Sequence, residues 1–196
     1  AGIIPIKNNG KGHSKISLSS SFSNLSLSLV HRFIPKFFDI GGKGTGSINL
    51  KGTLEKTEFN YNLNLSDATF DLISLGNVSS KGSYDGKSLY VSYAKSASKE
   101  GEIAASGYLP FDLNIGSPNF SKMYKNDNIN FVANANIRSL PFLSPYIDDL
   151  DSAEGDFIIE LSLSGTGTDI IRNGNIKIQN GKLHTLLFTD PIESIN

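Results

Sequence analysis

Few residues of this 196-residue chain have the types and the spacing that catalysis or metal binding requires. The three histidines, His13, His31 and His184, lie far apart and lack the spacing of metal ligands, which favours ordinary surface or strand-end positions. The sequence contains no cysteine, so it offers neither thiol chemistry nor disulfides. Because no nucleophile–base pair is recognisable either, we predict a protein that is not an enzyme and has no cofactor or metal site.

Two short segments invite a ligand-binding interpretation and fail its requirements. Five carboxylates lie between Asp148 and Asp156, but they lack the Asp-x-Asp-x-Asp-Gly order of a calcium loop. We interpret this stretch as a solvated link between a helical turn and a strand. The Gly-Gly-Lys-Gly-Thr-Gly run at 41–46 matches neither a phosphate loop nor a dinucleotide fingerprint, and a strand pattern follows it. We interpret it as a flexible strand entry.

Composition favours long strands. Hydrophobic residues make up 38% of the chain and charged residues 19%, and much of the remainder is Ser, Asn, Thr and Gly. The net charge is −1 and the basic residues are scattered, which argues against a nucleic-acid partner. No apolar run approaches the roughly 18 residues of a membrane helix. Because the sequence begins at Ala1 without Met, we expect either a piece of a longer chain or a processed chain.

The elements that would position functional side chains are strands with one apolar and one polar face. Apolar residues alternate with Ser or Asn in block after block, which predicts about ten strands. Phe22 and Leu25 break the alternation once, and a β-bulge there would restore the face. The residues that we predict to line an apolar groove are Leu27, Leu29, Ile48, Leu50, Phe59, Tyr61, Leu63, Leu65, Phe70, Leu89, Val91, Ile103, Phe131, Ala133, Ile137, Phe157, Ile159, Leu161, Leu163, Ile176, Ile178 and Leu183.

Two segments depart from the alternation and occupy corresponding places in an internal repeat. Residues 32–40 and 139–150 are aromatic and proline-containing, which predicts short helical turns. A shift of 113 positions overlays the strands that follow them: Ile48 and Leu50 fall on Leu161 and Leu163, Gly52-Thr53 on Gly165-Thr166, and Asp67 on Asn180. The predicted unit is helical turn, strand, Gly-Thr, strand, turn and strand, with the last turn of the second unit at Asn180-Gly181.

The repeat suggests a domain organisation and a fold. We predict an N-terminal strand region at 1–31, a first groove repeat at 32–139 and the start of a truncated second repeat at 140–196. The predicted fold is all-β, with long antiparallel strands in a curled open sheet and one or two short helical turns. A continuous apolar stripe on such a sheet suits acyl chains. The alternative is an ordinary closed β-sandwich core that binds nothing.

Several motifs resemble the AsmA-like superfamily and, within it, the TamB-type proteins. The similar residues are the Gly-x-Ile/Leu-x-Leu-x-Gly-Thr patterns at 46–53 and 159–166, the strand-turn-strand run at 174–183, the strand pattern at 105–113 and the segment at 140–147. The resemblance covers residues 30–196. It implies a β-taco with a hydrophobic groove and no catalytic residues. It further implies a periplasmic parent chain that is anchored in the inner membrane of a Gram-negative bacterium.

The function that this resemblance implies is lipid transport in outer-membrane biogenesis. Phospholipid acyl chains are the expected ligand, and an outer-membrane β-barrel protein is an expected partner through the parent chain. An isolated piece would also expose sheet edges, so we expect edge-strand homodimers of it. The alternative is a structural cell-surface or outer-membrane β protein, either adhesin-like or a barrel assembly factor.

Overall fold

The computed structural model describes residues 2–3, 15–28, 40–70, 73–99, 101–120, 122–139, 149–186 and 192–195. Within these residues the chain forms strands and turns and no α-helix. The strands are β1 Gly2–Ile3, β2 Ile16–Ser26, β3 Ile40–Gly52, β4 Thr57–Phe70, β5 Ile73–Tyr84, β6 Leu89–Ala97, β7 Gly101–Leu109, β8 Asn128–Ser139, β9 Leu150–Thr166, β10 Ile170–Thr185 and β11 Ile192–Ile195.

All eleven strands belong to one antiparallel sheet in which each strand pairs with its neighbours in sequence. The sheet is open, with β1 and β11 at its two edges. Several strands are long: β9 has 17 residues and β10 has 16, where about 5–6 is usual. These findings confirm the predicted fold class. The segments predicted to be helical turns lie mostly outside the described residues, and their ends, Ile40, Ser139 and Leu150, belong to strands.

The internal repeat is confirmed in backbone detail, because β2–β4 and β8–β10 correspond with the predicted 113-residue shift. The turns after β3 and β9 are the same: the amide of Thr53 bonds the oxygen of Lys56, and the amide of Thr166 bonds the oxygen of Asp169. Each threonine hydroxyl also accepts a bond from the amide three residues on. The shared Gly-Thr therefore marks a hairpin turn.

The bulges of the repeat also correspond. Asp67 in β4 and Asn180 in β10 both have a positive φ, of 50° and 54°. The pairing register shifts beside both residues in the same way. The prediction of a turn at Asn180-Gly181 is therefore wrong, because β10 continues through this position as a bulged strand. An Asn-Gly pair suits both structures, since each needs a residue that tolerates positive φ.

The bulge predicted between Phe22 and Leu25 of β2 is confirmed by a register shift there. The acidic stretch is not a link, because its described residues from Asp151 to Asp156 lie in β9. The glycine-rich run at 41–46 is not a strand entry but part of β3 itself. The sheet is also continuous across the predicted domain boundaries, since β2 pairs with β3 and β8 pairs with β9.

Candidate functional site

One face of the sheet carries apolar side chains that stand in rows across the strands, because directly paired residues share a face. Leu50 pairs with Phe59, Phe59 with Tyr84, Tyr84 with Leu89, and Leu89 with Leu109. We call this the apolar face and the opposite one the polar face. The side chains of the apolar face are mostly half-buried along β3–β9. The side chains of the polar face, which alternate with them, are mostly exposed Ser, Asn, Lys and Glu.

The register places most of the predicted groove residues on this single face. Backbone pairing links these residues from one strand to the next across β3–β10. They are Ile48, Leu50, Phe59, Tyr61, Leu63, Leu65, Leu89, Val91, Ile103, Phe131, Ala133, Ile137, Phe157, Ile159, Leu161, Leu163, Ile176, Ile178 and Leu183.

Three predicted groove residues stand apart from these rows. Leu27 follows the end of β2, and its side chain lies close to Gly44 of the apolar face. Leu29 lies outside the described residues. Phe70 lies at the end of β4, where its backbone pairs with Ile40 and Ile73.

Large side chains on the apolar face lie across glycines of the neighbouring strand. Tyr61 covers Gly82 so closely that a Cβ there would stand 2.7 Å from its hydroxyl. Leu161 covers Gly174 in the same way, with a methyl group 3.0 Å from the position of a Cβ. These two glycines therefore make room for bulky side chains of the neighbouring strand.

The apolar face contains almost no charge. In the described rows between the Leu50–Leu109 row and the Ile137–Ile178 row, Arg172 is the one charged side chain on this face. A cluster of apolar side chains packs around Ile137, Ala153 and Phe157, which are buried. Towards the C-terminal edge the face becomes exposed: Leu161 is 51% exposed and Ile176 60%.

One end of the sheet is covered by the long connection between β7 and β8, which sequence reasoning did not identify. This crossing segment (residues 110–127, of which 121 is not described) folds back on itself, with the amide of Asp112 bonded to the oxygen of Lys122. Its tip reaches the turn after β3, where the amide of Gly116 bonds the oxygen of Leu54 at 2.8 Å. Its base reaches the turn after β9 through the amide of Thr168 and the oxygen of Lys125.

A buried polar network holds the crossing segment in place. The amide of Thr57 donates to Oδ1 of Asn114 at 2.8 Å, and Nδ2 of Asn114 donates to the oxygen of Gly86 at 3.1 Å. Nδ2 also donates to Oδ1 of Asp112 at 3.0 Å. The Tyr84 hydroxyl accepts a bond from the amide of Leu113 at 2.9 Å. The segment is therefore tied to β4 and β5, although it is far from both in sequence.

Burial and charge alter the ionisation of this network. Burial raises the pKa of Tyr84 to about 12, an effect that the hydrogen bond from Leu113 opposes and the charge of Asp112 reinforces. Burial also acts to raise the pKa of Asp112. Hydrogen bonds from Ser117, Asn114 and Tyr124 outweigh it, and the pKa lies below its ordinary value. The network therefore holds a neutral tyrosine beside an ionised carboxylate at neutral pH. This arrangement stabilises the covered end of the sheet.

The polar face has a shallow depression of about 500 Å³ over β5–β9. Its lining mixes polar and charged residues, including Asn77, Lys95 and Glu160, with apolar ones, including Ala104 and Ile158.

The described residues contain no group of three or more His, Asp or Glu side chains that could hold a metal ion. His184 lies in β10, and His13 and His31 fall outside the described part of the chain. The described part of the chain contains no helix that is long and apolar enough to cross a membrane.

Comparison with known proteins gives no relative. No protein-family model matches the chain, and neither a curated protein nor a solved structure matches it.

Proposed function

We propose that this chain is a non-catalytic segment of a lipid-conducting β-groove protein, which holds acyl chains along its apolar face. The observation that carries the proposal is the register. It aligns the apolar side chains of β3–β10 on one face, and no second layer of described residues covers that face. An ordinary β-sandwich would bury such a face against a second sheet. The resemblance to AsmA-like proteins supports the same function and a periplasmic location.

The energetics favour an apolar ligand. Removing apolar surface from water contributes about 0.8 kcal/mol for each buried CH₂ group, so an acyl chain gains from every methylene that it lays on the face. A headgroup would lose hydration over a face with almost no charge, so the headgroup is expected to project from the sheet into water. The half-exposed Leu161 and Ile176 offer the acyl chain contact area near the C-terminal edge.

The covered end of the sheet bears on where acyl chains could enter and leave the groove. The crossing segment lies at the end of the sheet that contains the turns after β3, β5 and β9. The strongly bonded network around Asn114 would have to open for an acyl chain to pass there. We therefore propose that acyl chains enter and leave at other positions, including the exposed region around Leu161.

Site-specific photocrosslinking tests the proposal with matched neighbours. The photoreactive residue p-benzoylphenylalanine is placed at position 63 or 133 on the apolar face, and at position 62 or 134 on the polar face of the same strands. Each variant is incubated with vesicles of phosphatidylethanolamine and phosphatidylglycerol, irradiated and analysed by mass spectrometry. We expect phospholipid adducts at 63 and 133 and several-fold fewer at 62 and 134. Circular dichroism identifies variants that retain the fold.

Native mass spectrometry of the unmodified chain gives an independent result. After incubation with the same vesicles and removal of excess lipid, we expect a population with the added mass of phospholipid. Equal crosslinking on both faces, or a chain that stays lipid-free, would contradict the proposal.

A further inference from the structure

The polar face of the sheet carries several depressions that adjoin one another. The depression of about 500 Å³ over β5–β9 shares Asn77 and Ser79 with a neighbour of about 360 Å³ over β3–β5. It shares Asn134 and Glu160 with a neighbour of about 430 Å³ over β8–β10. A smaller depression beside Tyr93 also includes Asn134. Together these depressions form one shallow cleft that crosses the strands, which we call the polar cleft.

A single row of paired residues forms the floor of the polar cleft from β4 to β9. Each residue pairs directly with the next one across neighbouring strands, so their side chains share a face. In strand order they are Asn64, Ser79, Lys95, Ala104, Asn134 and Glu160. Because neighbouring strands lie about 4.8 Å apart, the row is about 24 Å long. This length suits a linear polymer of several units better than a single small molecule.

The centre of the cleft is a polar pair between two apolar side chains. Asn134 and Glu160 pair directly where two of the depressions meet, and both are exposed. Because β8 and β9 are antiparallel, Val132 stands on one side of this pair and Ile158 on the other. Val132 is 40% exposed and Ile158 37%, although both lie on the polar face. A ligand at this position therefore meets an amide and a carboxylate between two aliphatic walls.

The charges of the cleft argue against an anionic polymer as its ligand. Among the described residues that line these depressions, the charged ones are Lys95, Glu102 and Glu160. Nucleic acids and other polyanions require an excess of basic side chains along their path. The amide and hydroxyl groups of the floor both donate and accept hydrogen bonds, and a carboxylate accepts them. These groups match a neutral polymer that is rich in hydroxyl and amide groups.

An aromatic ring stands at the margin of the polar cleft. Tyr93 is 36% exposed and lines the depression that also includes Ala104 and Asn134. It lies on the polar face because the pairing of β6 shifts register beside it on both sides, towards β5 and towards β7. The C–H faces of sugar rings stack on exposed aromatic rings, since both surfaces are apolar. The ring favours a carbohydrate over an extended peptide, which commonly binds a sheet along a strand edge.

We propose that the polar cleft binds a neutral glycan strand whose sugars carry N-acetyl groups. An acetamido group combines an amide with a methyl group, and the cleft offers Asn134 and Glu160 beside the aliphatic side chains of Val132 and Ile158. The hydroxyl groups of neighbouring sugars then bond the amide and hydroxyl side chains along the floor. This site lies on the face opposite to the one that holds acyl chains in the proposed function, so the two proposals can fail separately.

Isothermal titration calorimetry in the absence of lipid tests the glycan site. The probe is chitohexaose, a soluble oligomer of N-acetylglucosamine, and we expect the natural chain to bind it. Asn134→Ala and Glu160→Ala should each weaken binding about five-fold, because each loses a hydrogen bond to the glycan. The matched control is Asn130→Ala, at an exposed position on the same face of β8 that pairs with Tyr108 and Ser164, outside these depressions. This variant should bind as the natural chain does.

Two further ligands separate this site from other kinds of binding. Cellohexaose has the same ring and linkage without acetamido groups, and it should bind several-fold more weakly than chitohexaose. Single-stranded DNA of similar length should not bind, because the cleft lacks an excess of basic groups. Circular dichroism of each variant shows that the sheet is retained. A natural chain that does not bind chitohexaose, equal affinity for cellohexaose, tighter binding of DNA, or an equal loss in Asn130→Ala and Asn134→Ala would overturn the proposal.

Discussion

The backbone amide of Thr57 donates a hydrogen bond to the side chain of Asn114, 57 residues further along the chain. Both residues are buried: Thr57 is fully inaccessible to solvent, and Asn114 is 5% exposed. The Thr57 hydroxyl accepts a second bond from the amide of Ile115 at 3.2 Å. Two neighbouring residues of the crossing segment are thus tied to one residue of β4, which makes this contact the anchor of the covered end.

Removing the Asn114 side chain should loosen that end. In Asn114→Ala the amide of Thr57 and the oxygen of Gly86 lose their partner in a buried site, and leaving buried polar groups unsatisfied costs about 1–3 kcal/mol. We expect the free energy of unfolding, measured by urea denaturation, to fall by about 2 kcal/mol. The matched control is Asn119→Ala in the exposed part of the same segment, expected to cost less than about 0.5 kcal/mol. Equal losses would show that the anchor lies elsewhere.

The covered end should also weaken in alkali. Burial raises the pKa of Tyr84 to about 12 in the folded chain, above the ordinary value of about 10 that applies to the unfolded chain. Between these values the unfolded chain loses its phenolic proton while the folded chain retains it. The contribution of neutral Tyr84 to the free energy of unfolding is therefore fully present below pH 10, and it is lost as the pH rises towards 12.

Ultraviolet titration of phenolate absorbance measures this directly. The natural chain should show a tyrosine that titrates near pH 12, and Tyr84→Phe should lack that group. In the control Tyr93→Phe, at an exposed position, the late-titrating group should remain. If Tyr93→Phe removed that group and Tyr84→Phe retained it, the assignment would be wrong.

Most of the apolar face could be predicted from the sequence, because successive side chains of a strand point to opposite faces of the sheet. Phe59, Tyr61, Leu63 and Leu65 share a face for that reason alone. The alternation fails at Tyr93, which followed Leu89 and Val91 in phase. A register shift between Lys81 and Gly82 pairs Tyr93 with Lys81 and so moves it to the polar face.

Other features depend on interactions that a local pattern does not contain. β5 is rich in Ser and Gly and shows little alternation, and its strand structure depends on pairing with β4 and β6. The crossing segment is positioned by bonds from Asn114 to Thr57 and Gly86, residues that are distant in sequence. A signal was nonetheless present at Asp112 and Asn114, since two polar residues between apolar ones in a proline-led segment favour a bonded loop.

Gly82 should tolerate no side chain, although its φ is not positive. A Cβ at this position would overlap the backbone oxygen of Tyr90 and lie 2.7 Å from the Tyr61 hydroxyl. Because the backbone oxygen cannot move without distorting the β5–β6 pairing, Gly82→Ala should lower the free energy of unfolding by about 2–3 kcal/mol. Gly174→Ala is the matched control, because its closest neighbour is a flexible methyl group of Leu161. Its cost should stay below about 0.5 kcal/mol in urea denaturation, and a similar cost for both would refute the steric argument.

The equivalent bulges of the repeat should respond equally to a β-branched residue. Asp67 and Asn180 both have a left-handed backbone, which costs an ordinary L-residue about 1–2 kcal/mol and is least favourable for valine. We expect Asp67→Val and Asn180→Val each to lower the free energy of unfolding by about 1–2 kcal/mol. The controls are Asn64→Val and Asn175→Val, at exposed positions with extended backbone in the same strands, where valine suits a strand and should cost less than about 0.5 kcal/mol. The loss of unfolding free energy should be slightly larger for Asn180→Val, because the side-chain Nδ2 of Asn180 also donates a hydrogen bond to Oδ2 of Asp156 at 3.0 Å. A bulge that accepted valine in one unit and not in the other would mean that the two units share their sequence pattern but not their backbone energetics.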